Sequence, residues 1–166
     1  MKETGFKGFE NAAFYGKLTT TIMGLLLKKL LKDKVKPEYE TPCKFVDFFV
    51  EDIGFIEVTT SKRAETKDRR KWYCLSKRNY VYIVVPKRFV EEYRNTIDLD
   101  FKIPNPEDKL PPKGARRKRI VIISPMEFFS VIEKKVDIPK HRLNNAIKTM
   151  KDSNQLSKLV QPLLEK

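Results

Sequence analysis

Two short runs built almost entirely from valine, isoleucine and tyrosine constrain this chain most. Residues 80–85 read YVYIVV and residues 119–124 read RIVIIS. Continuous runs of β-branched and aromatic residues are typical of strands that are covered on both faces. A helix-length segment separates the first run from an earlier strand candidate, so the two strands should be parallel. The sequence therefore predicts that Val81–Val85 is a central strand, parallel to Ile53–Thr59.

A hairpin is predicted ahead of that central strand. Phe45–Val50 and Ile53–Thr59 are rich in Val, Ile, Phe and Thr, and the turn-like pair Glu51-Asp52 separates them. With helices before, between and after the strands, the expected fold is α/β: a mixed central sheet flanked by helices in three layers.

Helical periodicity marks the other elements. Leucine spacing predicts a first helix over Asn11–Lys34, which Pro37 ends. The charged segment Lys62–Lys77 is predicted to be a basic helix with one apolar stripe that includes Trp72, and Phe89–Asn95 to be a short helix.

The remainder of the chain is predicted to be a loop followed by helices. Lys102–Lys118 contains little that is apolar and is expected to be an exposed loop. The sequence Ser124-Pro125-Met126-Glu127 is a capping box that begins a helix, and Pro139–Glu165 is also expected to be helical. At 166 residues the chain is about one domain long, with a core at about 10–125 and C-terminal helices at about 126–166.

The charge balance indicates the class of partner. The chain has 35 Lys and Arg against 22 Asp and Glu, a net charge of +13, which favours a polyanion: nucleic acid or an anionic membrane surface. The most apolar stretch, Ile22–Leu31, is about ten residues long and contains two lysines, well short of the ~20 residues of a membrane span. No apolar run resembling a secretory signal is visible at residues 1–10. We therefore expect a soluble, cytoplasmic protein whose partner is a nucleic acid and not a membrane.

The cysteines and the histidine suggest no metal site. Cys43 and Cys74 follow no ligand spacing, and the single histidine, His141, does not complete a zinc site. We expect two reduced thiols, with a disulfide as the alternative, and a surface or helix-start histidine. The sequence contains neither a GxxxxGK[ST] phosphate loop nor a GxSxG nucleophile elbow.

Two acidic residues in the hairpin are the best candidates for chemistry. Asp47 lies in the first strand, and Glu57 lies in the second between apolar neighbours, where a carboxylate is costly unless it is paired. Carboxylates on adjacent strands can share a face and bind Mg²⁺ or Mn²⁺. The alternative is that both are edge charges that face solvent.

In this order of elements the chain resembles the PD-(D/E)XK nuclease superfamily, which includes Holliday-junction resolvases, many restriction enzymes and small archaeal-virus nucleases. The resemblance covers Glu10 to Val85, with Asp47 and Glu57 of "IEV" as the two motif acids. Glu10, in "GFENAAFYGKL", is similar to the glutamate that the family often carries on its first helix. The resemblance implies a restriction-endonuclease-like fold, Mg²⁺-dependent DNA hydrolysis, metal ligation by these three acids and a possible homodimer, in the host cytoplasm if the protein is viral.

The chain departs from the family pattern at the motif lysine. Thr59 occupies the place two residues after the glutamate, and Val46 precedes Asp47. Lysines further along can take that role. Lys67 and Lys71 share a helix face at a spacing of four, while Lys62 points to the opposite face if the strand stays regular. The predicted catalytic residues are Asp47, Glu57, Lys62 and Lys71.

Basic residues form two clusters that suit phosphate contacts. A solvated helix face is the alternative for the first cluster, with Trp72 in the core. Besides the catalytic lysines, the predicted nucleic-acid contacts are Arg63, Lys67, Arg69, Arg70, Lys77 and Arg78 in the first cluster, and Lys113, Arg116, Arg117, Lys118 and Arg119 in the second. Two functions follow: a metal-dependent deoxyribonuclease, or a non-catalytic nucleic-acid-binding protein with a degenerate nuclease fold.

Overall fold

The computed structural model describes residues 20, 23–24, 26–28, 30–107 and 109–136. A five-stranded open sheet lies at its centre, with the strands side by side in sequence order. β1, β2 and β3 are antiparallel to one another, whereas β3, β4 and β5 are parallel. The strands are β1 (Val35–Thr41), β2 (Lys44–Val50), β3 (Gly54–Val58), β4 (Val81–Val84) and β5 (Ile120–Ile123).

Three helices are described in full: α1 (Thr66–Ser76), α2 (Val90–Lys102) and α3 (Pro125–Val136). Helices α1 and α2 supply the crossovers from β3 to β4 and from β4 to β5. The predicted mixed sheet flanked by helices is therefore confirmed.

The first predicted helix is described only in part. Residues 20, 23–24, 26–28 and 30–31 are helical, and a 3₁₀ turn at Lys32–Lys34 leads into β1. Residues 11–19 and 139–165, including His141, lie outside the described residues, as does Glu10. No helix within the described ranges is long and apolar enough to cross a membrane.

The sheet separates two hydrophobic cores. One face packs on the leading helical residues and α3, through side chains such as Leu27, Phe128 and Ile132. The other face packs on α1 and α2 and forms the second core, which contains side chains such as Trp72 and Tyr93. Every residue of β4 is buried, as a strand between two helical layers requires.

Strand pairing agrees with the sequence-based predictions. The hairpin register places Phe48 opposite Ile56, and the parallel register places Phe55 beside Val81. The central strand predicted over Val81–Val85 is thus confirmed. Gly54 begins β3 with φ +133°, and a Cβ there would lie 2.5 Å from the carbonyl oxygen of Tyr80. A glycine is required where the two strands approach this closely.

Other local predictions are also confirmed. Ser124 caps α3: its hydroxyl donates to Glu127 Oε1 (2.9 Å) and accepts from the Glu127 N–H (3.4 Å). The segment between α2 and the 3₁₀ turn Arg117–Arg119 is a loop, fastened to the second core by the buried Leu110.

Two elements differ from the predictions. Strand β1 was not expected, because Pro37 and its charged neighbours resemble a helix end. In the structure β1 is an edge strand, where a missing N–H is tolerated because it need not pair with a neighbour. Helix α2 is longer than the predicted Phe89–Asn95, since Ile97 continues the apolar face of Val90 and Tyr93 into the second core.

The expectation of two reduced thiols is wrong, because Cys43 and Cys74 form a disulfide. Cys43 lies in the turn between β1 and β2, and Cys74 lies on α1, with their Cα atoms 5.8 Å apart. The two residues are 31 apart in sequence, so their contact arises only when α1 packs against this part of the sheet. Spacing along the chain contains no sign of it.

Reducing this disulfide should destabilise the protein. A cross-link that closes a loop of this length restricts the unfolded chain, and we expect its loss to lower the free energy of unfolding by about 3 to 4 kcal/mol. Urea unfolding with and without dithiothreitol measures the difference. The double variant Cys43→Ser/Cys74→Ser is the control and should not respond to the reductant. An unchanged midpoint for the reduced wild type would contradict the prediction.

Candidate functional site

The two predicted acids meet where β2 and β3 diverge. Backbone pairing runs from Val50 and Gly54 to Phe48 and Ile56, and side chains take over beyond that point. The Asp47 N–H donates to Glu57 Oε2 (3.0 Å), and the Val58 N–H donates to Asp47 Oδ2 (2.8 Å). Each carboxylate therefore satisfies a backbone donor of the opposite strand.

Glu57 is buried among hydrogen-bond donors. It is 5% exposed, on an inner strand, so the alternative of a solvent-facing edge charge is wrong for this residue. The indole Nε1 of Trp72 donates to Glu57 Oε1 (3.1 Å), and the Lys71 ammonium lies 2.5 Å from the same oxygen. Lys71 also donates to the carbonyl oxygen of Phe45 (3.2 Å). Helix α1 thus supplies both side-chain partners of a carboxylate that would otherwise be costly to bury.

The Asp47 carboxyl has a raised pKa. Burial, followed by the nearby negative charge of Glu57, raises the pKa of Asp47 to about 7, although the Val58 N–H and Lys71 act in the opposite direction. Its side chain lines a cavity of about 410 Å³ together with Glu38, Lys28 and Phe48. Glu57 is not part of that lining; it contacts α1.

Of the three candidate lysines, Lys71 is the one that contacts an acid of the pair. Lys67, one turn earlier on α1, is exposed. Lys62 is also exposed, on the segment after β3, which the Tyr93 hydroxyl holds by donating to the Ser61 carbonyl oxygen (2.7 Å). Thr59, in the place of the motif lysine, continues the sheet by donating its N–H to the Val84 carbonyl oxygen (3.0 Å).

Arg69 of the predicted first cluster is engaged inside the protein. Its Nη1 and the Tyr73 hydroxyl both lie 2.5 Å from Asp100 Oδ2, and its Nε donates to the Ala64 carbonyl oxygen. Burial opposes the charge on Arg69, but Asp100 outweighs it and raises the pKa of the guanidinium. The residue joins α1 to α2, which a basic run in the sequence did not indicate. Arg63, before α1, and Arg70, on α1, are exposed, and Lys77 and Arg78 are exposed in the turn that follows α1.

The second basic cluster lies away from the acidic pair. Arg119 directly precedes β5, and because β3, β4 and β5 are parallel, their first residues share one end of the sheet. Glu57 lies near the opposite end of β3. The sequence did not indicate this separation, since both clusters are basic runs next to strands.

The oxygen ligands around Asp47 suit a hard cation. Asp47 and Glu57 offer carboxylates on adjacent strands, and Glu38, on the unpredicted β1, lines the cavity together with Asp47 but not with Glu57. Within the described ranges, however, no three acidic, histidine or cysteine side chains are grouped closely enough to hold a metal ion. Carboxylate oxygens are nevertheless the kind of donor that Mg²⁺ and Mn²⁺ prefer, and Asp47 and Glu57 supply two of them.

Sequence reasoning missed one partner of the acidic pair and one acid that lines the cavity beside it. The hydrogen bond from Trp72 to Glu57 has no sequence signal, because a tryptophan in an apolar stripe is expected only to fill the core. Glu38 was missed because β1 was missed. The spacing of Lys67 and Lys71 was the one available signal for a basic residue leaning toward the acids.

Comparisons with known proteins identify no relatives: no family model, no curated protein and no solved structure matches this chain.

The raised pKa of Asp47 predicts a pH-dependent effect of Asp47→Asn. Between about pH 4 and pH 7 the folded protein keeps a proton that the unfolded chain has lost, so this residue lowers stability as the pH rises through that window. Asparagine does not titrate. The free energy of unfolding of the variant should therefore equal that of wild type near pH 4 and exceed it increasingly up to pH 7. The excess should be at most about 4 kcal/mol, because each pKa unit corresponds to about 1.4 kcal/mol.

Urea unfolding at pH 4, 5.5, 7 and 8.5 measures this gain. Asp52→Asn is the matched control, because Asp52 is an exposed carboxylate in the turn that joins β2 to β3. A difference between Asp47→Asn and wild type that stays constant with pH would contradict the prediction.

Proposed function

We propose that this protein is a metal-dependent nuclease that hydrolyses DNA phosphodiester bonds, with its site at Asp47, Glu57 and Lys71. The observation that carries the proposal is the convergence of two carboxylates and an ammonium group where β2 and β3 diverge. Paired acids with a nearby lysine are the groups that metal-assisted phosphodiester hydrolysis uses.

Mg²⁺ or Mn²⁺ held by Asp47 and Glu57 would polarise the phosphodiester and lower the pKa of an attacking water. The chain supplies the ligands and fixes their positions. Asp47 is anchored by the Val58 N–H and opens on the cavity, while Glu57 is held by the Asp47 N–H. Glu10, predicted as a third acidic contact, lies outside the described residues and stays a prediction.

Lys71 takes the role of the family's motif lysine in this proposal. Its ammonium is already next to the acidic pair and is fixed by the Phe45 carbonyl oxygen, so it can stabilise negative charge that develops on a phosphate. Lys62 and Arg63 are exposed on the segment between β3 and α1, and Lys67 is exposed in the first turn of α1. They supply non-specific phosphate contacts, whose affinity falls with salt.

The second candidate is a non-catalytic nucleic-acid-binding protein with a degenerate nuclease fold. The observation that favours it is that Glu57 already accepts from Trp72, Lys71 and the Asp47 N–H. A carboxylate that already has three partners can serve to hold the fold together without binding a metal. A homodimer and a cytoplasmic location stay predictions for either function.

Glu57→Gln should abolish cleavage and preserve DNA binding. The amide keeps the shape of the side chain but is a poor ligand for a hard cation, whereas affinity comes from basic residues elsewhere. Wild type and variant are compared on supercoiled, linear, branched and single-stranded DNA with Mg²⁺, Mn²⁺ or EDTA. Binding is measured in parallel with calcium in place of the catalytic metal.

Asp52→Asn serves as the control and should cleave like wild type, since Asp52 lies in the turn at the other end of the hairpin. Thermal unfolding with increasing Mg²⁺ is an independent measurement: wild type should be stabilised and Glu57→Gln should not. If wild type binds DNA but cuts none of the four substrates with either metal, the nuclease proposal fails and the binding protein is the better description.

Two lysine variants distinguish a specific role of Lys71 in cleavage from the general positive charge of α1. Lys71→Met should lower the cleavage rate by about 10²-fold, as expected for the loss of one donor to a developing charge. Lys67→Met removes the same charge from the same helix face and should cleave at a rate close to that of wild type. Single-turnover cleavage at saturating DNA measures both.

Stability must be measured with these rates, because Lys71→Met leaves Glu57 without its cation, at a cost on the order of 3 kcal/mol. Rates are therefore taken where both variants are fully folded. Equal rates for the two variants would show that Lys71 has no special role in cleavage.

A further inference from the structure

A strongly basic cavity lies at the end of the sheet where β4 and β5 begin. It has a volume of about 510 Å³ and is lined by Tyr80 and the four consecutive basic residues Arg116, Arg117, Lys118 and Arg119. Tyr80 directly precedes β4, and Arg119 directly precedes β5. The parallel register that sets Val81 beside Ile120 brings the two segments together.

Two of the arginines are held in place by the fold. Arg119 Nη1 donates to the carbonyl oxygens of Ser76 and Lys77 (both 3.2 Å), at the end of α1. Arg117 donates through Nε to Asp98 Oδ1 (2.6 Å) and through Nη1 to the Ile120 carbonyl oxygen (2.7 Å). A guanidinium has five N–H donors, so each arginine keeps donors for a ligand after these bonds are made.

The charge of the lining is not balanced by neighbours. In the described part of the chain, the side chains of Arg116 and Lys118 make no ion pair or hydrogen bond, and Arg117 pairs with one carboxylate, Asp98. Four cations thus face a single acid. Arginine forks match the oxygens of phosphate, and their fixed orientation lowers the entropy that binding costs.

We infer that this cavity is a phosphate-binding site that holds a nucleic-acid backbone independently of the Asp47–Glu57 pair and of any metal. Its place at the opposite end of β3 and β4 from Glu57 separates the two sites. The inference rests on the proposed function in one respect, which is that the phosphate belongs to DNA. Tyr80, 42% exposed at the rim, gives the cavity a flat apolar wall beside the cations.

The test compares two variants with the same change of charge. Arg116→Gln/Lys118→Gln removes the two cations of the cavity whose side chains have no partner in the described structure. Lys32→Gln/Lys36→Gln removes two exposed lysines at the far edge of the sheet, one just before β1 and one on it. Binding of a labelled DNA duplex is followed by fluorescence anisotropy from low to high salt in EDTA. Thermal unfolding establishes that both variants are folded.

In the cavity variant, the steepness of log affinity against log salt should decrease by about 1.8, because each phosphate that is no longer neutralised accounts for about 0.9. In the control variant it should stay near the wild-type value. Inorganic phosphate at constant ionic strength should displace DNA from wild type and from the control but not from the cavity variant. Equal slopes for the two variants, with DNA binding intact, would overturn the inference and leave the proposed nuclease standing.

The reverse outcomes are equally distinct. A reduced slope for the cavity variant, with no cleavage by wild type, would support this site and overturn the nuclease. Calorimetry measures whether inorganic phosphate binds wild type. If it binds and DNA does not, the cavity is a site for a small phosphate compound, and the nucleic-acid inference is overturned.

Discussion

The burial of the Glu57 carboxylate is the constraint that organises this molecule around its site. A buried charge without partners is costly, and Glu57 obtains partners from two other elements: the Asp47 N–H of β2 and the Lys71 and Trp72 side chains of α1. The same contacts determine how β2, β3 and α1 meet. The site and the fold therefore share their interactions, which is why the variants proposed for function need parallel measurements of stability.

Helix α1 is joined to the β1–β2 side of the sheet by two links one turn apart. Lys71 donates to the Phe45 carbonyl oxygen, and Cys74 forms the disulfide with Cys43. The disulfide therefore restrains the helix that positions Lys71 against Glu57. Asp100 ties the same helix to α2 through Arg69, so α1 is fixed on both sides.

Positive charge is distributed over both ends of the sheet. One group surrounds the segment between β3 and α1, near the acidic pair, and the other lines the cavity at the start of β5. A net charge of +13 says only that a polyanion is a suitable partner. The parallel direction of β3, β4 and β5 is what separates the two groups and makes them distinct sites for the proposed DNA.

The sequence by itself determined the strand and helix types in the centre of the chain, because continuous β-branched runs and a capping box are local signals. It also indicated Asp47 and Glu57, since an acid among apolar neighbours in a strand is visible without a structure. It did not determine β1, whose proline is tolerated only at an edge, or the disulfide between residues 31 apart. The partners of Glu57 were decided by tertiary structure for the same reason: Lys71 and Trp72 reach it only when α1 folds back across β3, and such contacts between distant segments leave no local pattern in a sequence.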